Sequence, residues 1–176
     1  LKYELLKPQN LHLITRNENK KSKLKDAFPD SEISTFDEIK KLDADLIIIA
    51  VKPQDFTFVA EHLPFNFSEK SLVLSIMAGI SIEKIQKLLN HKFVVRAMPN
   101  SPTLLGMGIT GYTAADGISF SELMNVERLL NSTGRSVYLE DESLLDGVTA
   151  LSGSGPAYFY YIIDAMIKAG TEMGID

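Results

Sequence analysis

Through residues 11–96, short apolar runs alternate with polar segments of helix length, and that alternation admits few architectures. Residues 11–15 (Leu-His-Leu-Ile-Thr) predict a strand, followed by a Lys-rich helix over 18–28. A short strand over 33–35 and a short helix over 37–42 come next. The run Leu-Ile-Ile-Ile-Ala-Val at 46–51 is the strongest strand signal. It holds four β-branched residues without polar alternation, the pattern of a strand covered on both faces. Pro53 stops it, and 54–62 reads as a helix. Residues 71–76 and 93–96 predict further strands, with a helix over 81–89 between them, started by Ser81 as N-cap. Strands alternating with helices in this way build βαβ units and a parallel sheet.

After Pro99 the pattern changes. Gly106, Gly108 and Gly111 punctuate a loop and a strand over 109–114, followed by a helix over 121–131 and a strand over 136–139. Beyond Glu142 no strand pattern remains. Residues 142–151 are helical, Ser-Gly-Ser-Gly-Pro at 152–156 interrupts them, and 157–170 are helical again. Ser154 is placed to cap that last helix, with Pro156 early in it. The expected division is an α/β domain over 1–142 and the start of an all-α domain over 143–176. Tyr158, Tyr160 and Tyr161, among apolar neighbours, make the last helix either core or subunit interface.

Composition removes several function classes. A chain of 176 residues with 45% hydrophobic and 23% charged residues folds rather than staying disordered. The absence of cysteine excludes a disulfide scaffold, a zinc-thiolate site and a cysteine nucleophile, and suits a reducing compartment. A net charge of −5 argues against nucleic acid or an anionic membrane as partner. The longest apolar runs are too short to cross a bilayer, and no secretory leader pattern follows Leu1. His12, His62 and His91 are scattered, so no metal site is expected. Glu140, Asp141 and Glu142 read as a solvated turn and helix start. All 11 glycines lie at Gly79 or later.

Three consecutive strand ends carry unusual residues: Ala50-Val51-Lys52-Pro53, Met77-Ala78-Gly79, and Met98-Pro99-Asn100-Ser101-Pro102. Each alone suits an ordinary turn. Together they suggest a ligand crevice, because open α/β sheets bind ligands beyond the carboxyl ends of their strands. Lys52 adds a positive charge there for a phosphate or carboxylate. Arg16 follows the first visible strand, and an arginine at the corresponding place in dinucleotide folds accommodates a 2′-phosphate. It therefore favours NADPH over NADH. Lys20, Lys21, Lys23 and Lys25 read as a solvated helix face.

Four segments in order give the chain a family resemblance: Ala-Asp-Leu-Ile-Ile-Ile-Ala-Val-Lys-Pro-Gln at 44–54, Ser-Ile-Met-Ala-Gly at 75–79, Val-Arg-Ala-Met-Pro-Asn-Ser-Pro at 95–102, and Thr-Ala-Leu-Ser-Gly-Ser-Gly-Pro-Ala-Tyr at 149–158. The chain resembles the pyrroline-5-carboxylate reductases. The resemblance implies a Rossmann-like, mostly parallel α/β domain that binds NADPH, with NADH possible, followed by a helical dimerisation domain. It implies reduction of 1-pyrroline-5-carboxylate to L-proline by a cytoplasmic homodimer or larger homo-oligomer joined through the C-terminal helices. Carried over by position, the cofactor contacts are Arg16, Ala50, Val51, Lys52, Pro53, Ile76, Met77 and Ala78. Asp37 falls where the family often has an asparagine against the cofactor. Asn100 and Ser101 lie on the substrate side, and no proton donor is assigned. The family's first strand with its Gly-rich turn is expected before Leu1, and its later helices after Asp176. Two alternatives accompany this reading: a related β-hydroxyacid-type dehydrogenase, and a regulatory paralogue that binds nucleotide without turnover. The first calls for a lysine one to two turns into the helix after the Ser-Gly-rich segment, where residues 158–163 have none.

Overall fold

A computed structural model describes residues 5–40, 42–62, 68 and 70–175. Among them, seven strands form two sheets. β1 (His12–Thr15) and β2 (Glu32–Thr35) pair in parallel, from His12 opposite Glu32 to Thr15 opposite Thr35. Helix α1 (Glu18–Ala27) makes the crossover. The Asn17 side chain starts it by accepting the N–H groups of Asn19 and Lys20, two donors a helix leaves unpaired.

The second sheet runs in sequence order: β3 (Leu46–Ile49), β4 (Leu72–Ser75), β5 (Val94–Met98), β6 (Gly108–Ala114) and β7 (Gly134–Tyr138). β3, β4 and β5 are parallel, β6 is antiparallel to β5, and β7 is parallel to β6. Helices α2 (Phe56–His62), α3 (Ile82–Leu89) and α4 (Phe120–Asn131) connect them. Ser81 caps α3, as its position predicts, with its Oγ accepting the Lys84 N–H. Alternation along β4 sends Val73 into a core with Ile49, Phe56, Ile85 and Val94. Leu72 and Leu74 join a second core with Val95, Tyr112, Val126 and Leu130.

β4 is therefore the strand covered on both faces; β3 is not. Ile48 remains 49% exposed because β3 is the outermost strand of its sheet. The helix expected over 37–42 is a single 3₁₀ turn, Phe36–Glu38. Thr35 and Glu38 close a capping box around that turn, and Ile39 then goes extended and is buried. The start of the next helix also differs. Pro53–Asp55 is a 3₁₀ turn and α2 begins only at Phe56.

Glu38 also takes part in an ion pair with Lys21 that fastens α1 to this turn. The Lys21 hydrogen bond, then the Thr35 N–H, hold the Glu38 carboxyl at about 2, below its ordinary 4.5. A folded-state value below the unfolded one contributes stability that is complete above about pH 4.5 and lost as pH falls towards 2. Glu38→Gln is therefore expected to flatten that part of the acid unfolding profile, followed by circular dichroism. An unchanged acid limb would contradict the assignment.

At the C-terminal end, α5 (Leu144–Val148) runs into a π-helical turn, Thr149–Gly153, and then into α6 (Gly155–Glu172). The Ser-Gly-Ser-Gly-Pro segment is thus a widened turn rather than a break. Ser154 does not cap α6: it is itself helical, at φ −87° and ψ −20°, and its N–H reaches the Thr149 carbonyl at 2.8 Å. Capping needs an extended residue whose Oγ accepts a first-turn N–H, and the Ser154 Oγ accepts none. The Tyr158 hydroxyl donates to the Ala150 carbonyl at 3.1 Å and secures the turn from the other side. Residues 157–169 of α6 are all exposed, with Tyr161 at 78% and Met166 at 69%. This helix is not core within the chain. No helix of the described residues is long and apolar enough to cross a membrane.

Candidate active site

Because β3, β4 and β5 are parallel, their carboxyl ends share one edge, and the three singled-out segments leave from it. The Ile76 N–H donates to the Ile49 carbonyl at 3.1 Å, which sets the first two segments side by side. Ala50 and Lys52 are exposed, while Val51 and Pro53 are half-buried. Lys52 is extended and makes no ion pair among the described residues. Ile76 and Ala78 are half-buried at the rim. Met77 is placed differently. Its side chain is 2% exposed and packs in the core with Ile49 and Phe56, so only its backbone is left for a ligand. Gly79 takes φ +69°, a conformation glycine adopts without a Cβ penalty, and the chain there turns back to the buried Ile80.

Arg16 follows β1 in the other sheet, yet its Nη1 lies 3.3 Å from the Asp55 carboxylate in the turn after β3. The guanidinium also sits 5.7 Å from the centre of the Phe58 ring. Phe58 stacks on Phe36, at 6.2 Å, and on His62, at 3.9 Å. These contacts bring the carboxyl ends of the two sheets together. Asp37, beside Phe36, is exposed and makes no hydrogen bond or ion pair among the described residues. Two exposed cations at a rim of strand ends, Lys52 and Arg16, suit a polyanionic ligand such as a dinucleotide.

Asn100 joins three segments. Its Oδ1 accepts the Ile109 N–H at 3.0 Å, a contact that settles the orientation of the amide. Nδ2 therefore faces Ser152 and donates to its Oγ at 3.2 Å. The Asn100 carbonyl accepts the Thr103 hydroxyl at 2.7 Å. The loop after β5 is in this way docked against the start of β6 and the π turn. Gly153 lies beside this loop: a Cβ there would come 2.6 Å from the flexible tip of Met98, at Cε, and 3.9 Å from the Pro99 carbonyl oxygen. Ser101, at the start of the 3₁₀ helix Ser101–Leu105, is exposed.

Sequence reasoning missed a second joint. Arg96, on β5, has a side chain only 6% exposed. It donates to Glu142 at 2.9 Å and to Asp146 at 3.2 Å. Glu142 Oε1 also accepts the Ile82 N–H at 2.8 Å, at the start of α3. Glu142 is thus not simply part of a solvated turn; it ties the α5 segment to the sheet. A charged residue in the otherwise apolar Phe-Val-Val-Arg run was the available signal. Ser152 was visible only as part of the 149–158 motif.

Residues 142–176 match the family "Pyrroline-5-carboxylate reductase dimerisation" and residues 3–79 match "NADP oxidoreductase coenzyme F420-dependent". The pyrroline-5-carboxylate reductase of Pseudomonas aeruginosa is 39% identical over 134 residues, covering 76% of this chain and 49% of that one. The Corynebacterium melassecola enzyme is 34% identical over 175 residues, covering 97% and 64%. The crystal structure of Plasmodium falciparum pyrroline carboxylate reductase with NADP bound superposes with a TM-score of 0.81 at 27% identity, covering 99% and 63%. The chain spans about half the length of the first relatives it matches. The chain belongs to the pyrroline-5-carboxylate reductase family.

Proposed function

We propose that the protein reduces 1-pyrroline-5-carboxylate to L-proline with NADPH, with NADH as a second donor. The observation that carries this reading is the single rim formed by the ends of β3, β4 and β5, with Arg16 drawn to it from β1. NADPH would supply a hydride to the C=N carbon of the cyclic imine, and a proton completes the product. The chain's own residues do the rest. Lys52 and Arg16 hold phosphate groups; Ala50, Val51, Pro53, Ile76 and Ala78 shape the rim, and Met77 acts through its backbone. Asp37 borders the adenosine side. Asn100 and Ser101 face the substrate, Asn100 chiefly by fixing the loop that carries them. Precise placement of imine against donor is the main contribution a protein makes to such a transfer.

The same reading divides the chain near residue 143 and makes α6 part of a homodimer interface. An apolar helix exposed on all sides is the kind of surface that a second copy buries. A chain without cysteine suits the cytoplasm. The β-hydroxyacid-type alternative is disfavoured because the first two turns of α6 hold no lysine; its one lysine, Lys168, lies more than three turns in.

Lys52→Ala and Arg16→Ala in the intact protein are each expected to raise the Michaelis constant for NADPH about five- to tenfold, as loss of a charge-assisted hydrogen bond does. Steady-state kinetics at saturating imine measure this. An NADPH constant unchanged in both variants would overturn the placement.

A further inference from the structure

We propose that Asp55 sets the choice between NADPH and NADH by competing with the adenosine 2′-phosphate for Arg16; this rests on the dinucleotide reading of the rim. The arginine belongs to one sheet and the aspartate to the other, and they meet at 3.3 Å. Their side chains are 59% and 33% exposed, so the pair is weak enough to open. Phe58, stacked between Phe36 and His62, supports the guanidinium and keeps it at this edge when the ion pair opens.

In dinucleotide folds an arginine here receives a 2′-phosphate, whereas a carboxylate accepts the free 2′-OH of NADH. This edge has one of each, in contact. With NADPH, the 2′-phosphate must draw Arg16 away from Asp55 and lie near a carboxylate of its own sign. With NADH, Arg16 stays paired, and Asp55 has a second oxygen to offer the ribose. Asp55 therefore lowers a preference for NADPH that Arg16 alone would create. The outcome is an enzyme able to use both donors.

The test is the ratio of kcat/KM with NADPH to kcat/KM with NADH, measured in the intact protein with pyrroline-5-carboxylate. Asp55→Asn, which keeps the shape and removes the charge, is expected to raise that ratio about two- to fivefold, the range of an exposed ion pair. In an Arg16→Met background the same substitution is expected to raise the ratio by clearly less, since only the direct effects of the carboxylate on phosphate and ribose remain and there is no arginine to release. A ratio unmoved by Asp55→Asn in the parent, or raised equally in both backgrounds, would overturn the competition while leaving the function intact. A parent protein that oxidises neither donor in the presence of the imine would remove the functional reading and this inference with it.

Discussion

Glu142→Ala is expected to lower the stability of the fold by about 3 kcal/mol, the cost of leaving a buried charge without its principal partner. The charge is that of Arg96, whose side chain is 6% exposed inside β5. Asp146, its other acceptor, is 74% exposed and compensates poorly. Glu142 also accepts the Ile82 N–H, so its loss leaves one of the first donors of α3 unpaired. Removing the arginine instead has a milder expected effect. In Arg96→Met both carboxylates can turn to water, because neither is deeply buried, and the hydrophobic replacement fills the space. Urea denaturation of the two variants beside the parent measures the asymmetry. If Arg96→Met proves the more damaging, the buried-charge explanation fails.

Asn100→Ala is expected to cut kcat about 10- to 100-fold, the scale of a misplaced reactive geometry. Its effect on the NADPH Michaelis constant is expected to be small by comparison. The amide spans Ile109 and Ser152, so its removal frees the rim loop from β6 and from the π turn together. Asn100→Asp separates positioning from simple packing: it keeps the acceptor for Ile109 and can accept the Ser152 hydroxyl in place of donating to it, so kcat is expected to fall less than in Asn100→Ala. Retention of near-parent kcat in both variants would show that the joint does not serve turnover. The two joints, Arg96–Glu142 and Asn100–Ser152, lie at the two ends of the connection between the sheet and the terminal helices.

The alternating βαβ plan was legible because strand and helix periodicities are local properties. Ser81 as a cap and the parallel run of β3 to β5 followed from a few neighbouring residues. Burial was not local in this way. The Ile-rich run 46–51 marks a strand, but nothing in it says that β3 stands outermost in its sheet, where Ile48 stays half exposed. The π turn was illegible for a related reason: Ser, Gly and Pro disfavour an α-helix without saying that a wider turn will carry the chain through. At the site, residue types marked the strand ends correctly, while the contacts that organise them were hidden by distance. Arg96 and Glu142 are 46 residues apart, and Asn100 and Ser152 are 52 apart. At Met77 the residue type did not reveal that the side chain turns into the core and leaves only the backbone at the rim.

The most direct test of the central claim is coupled product formation by the intact purified protein. NADPH oxidation is followed at 1:1 stoichiometry with L-proline, with and without 1-pyrroline-5-carboxylate. The expected result is oxidation only when the imine is present, one proline formed for each NADPH consumed. Oxidation without imine, or imine-dependent oxidation that yields no proline, would contradict the account.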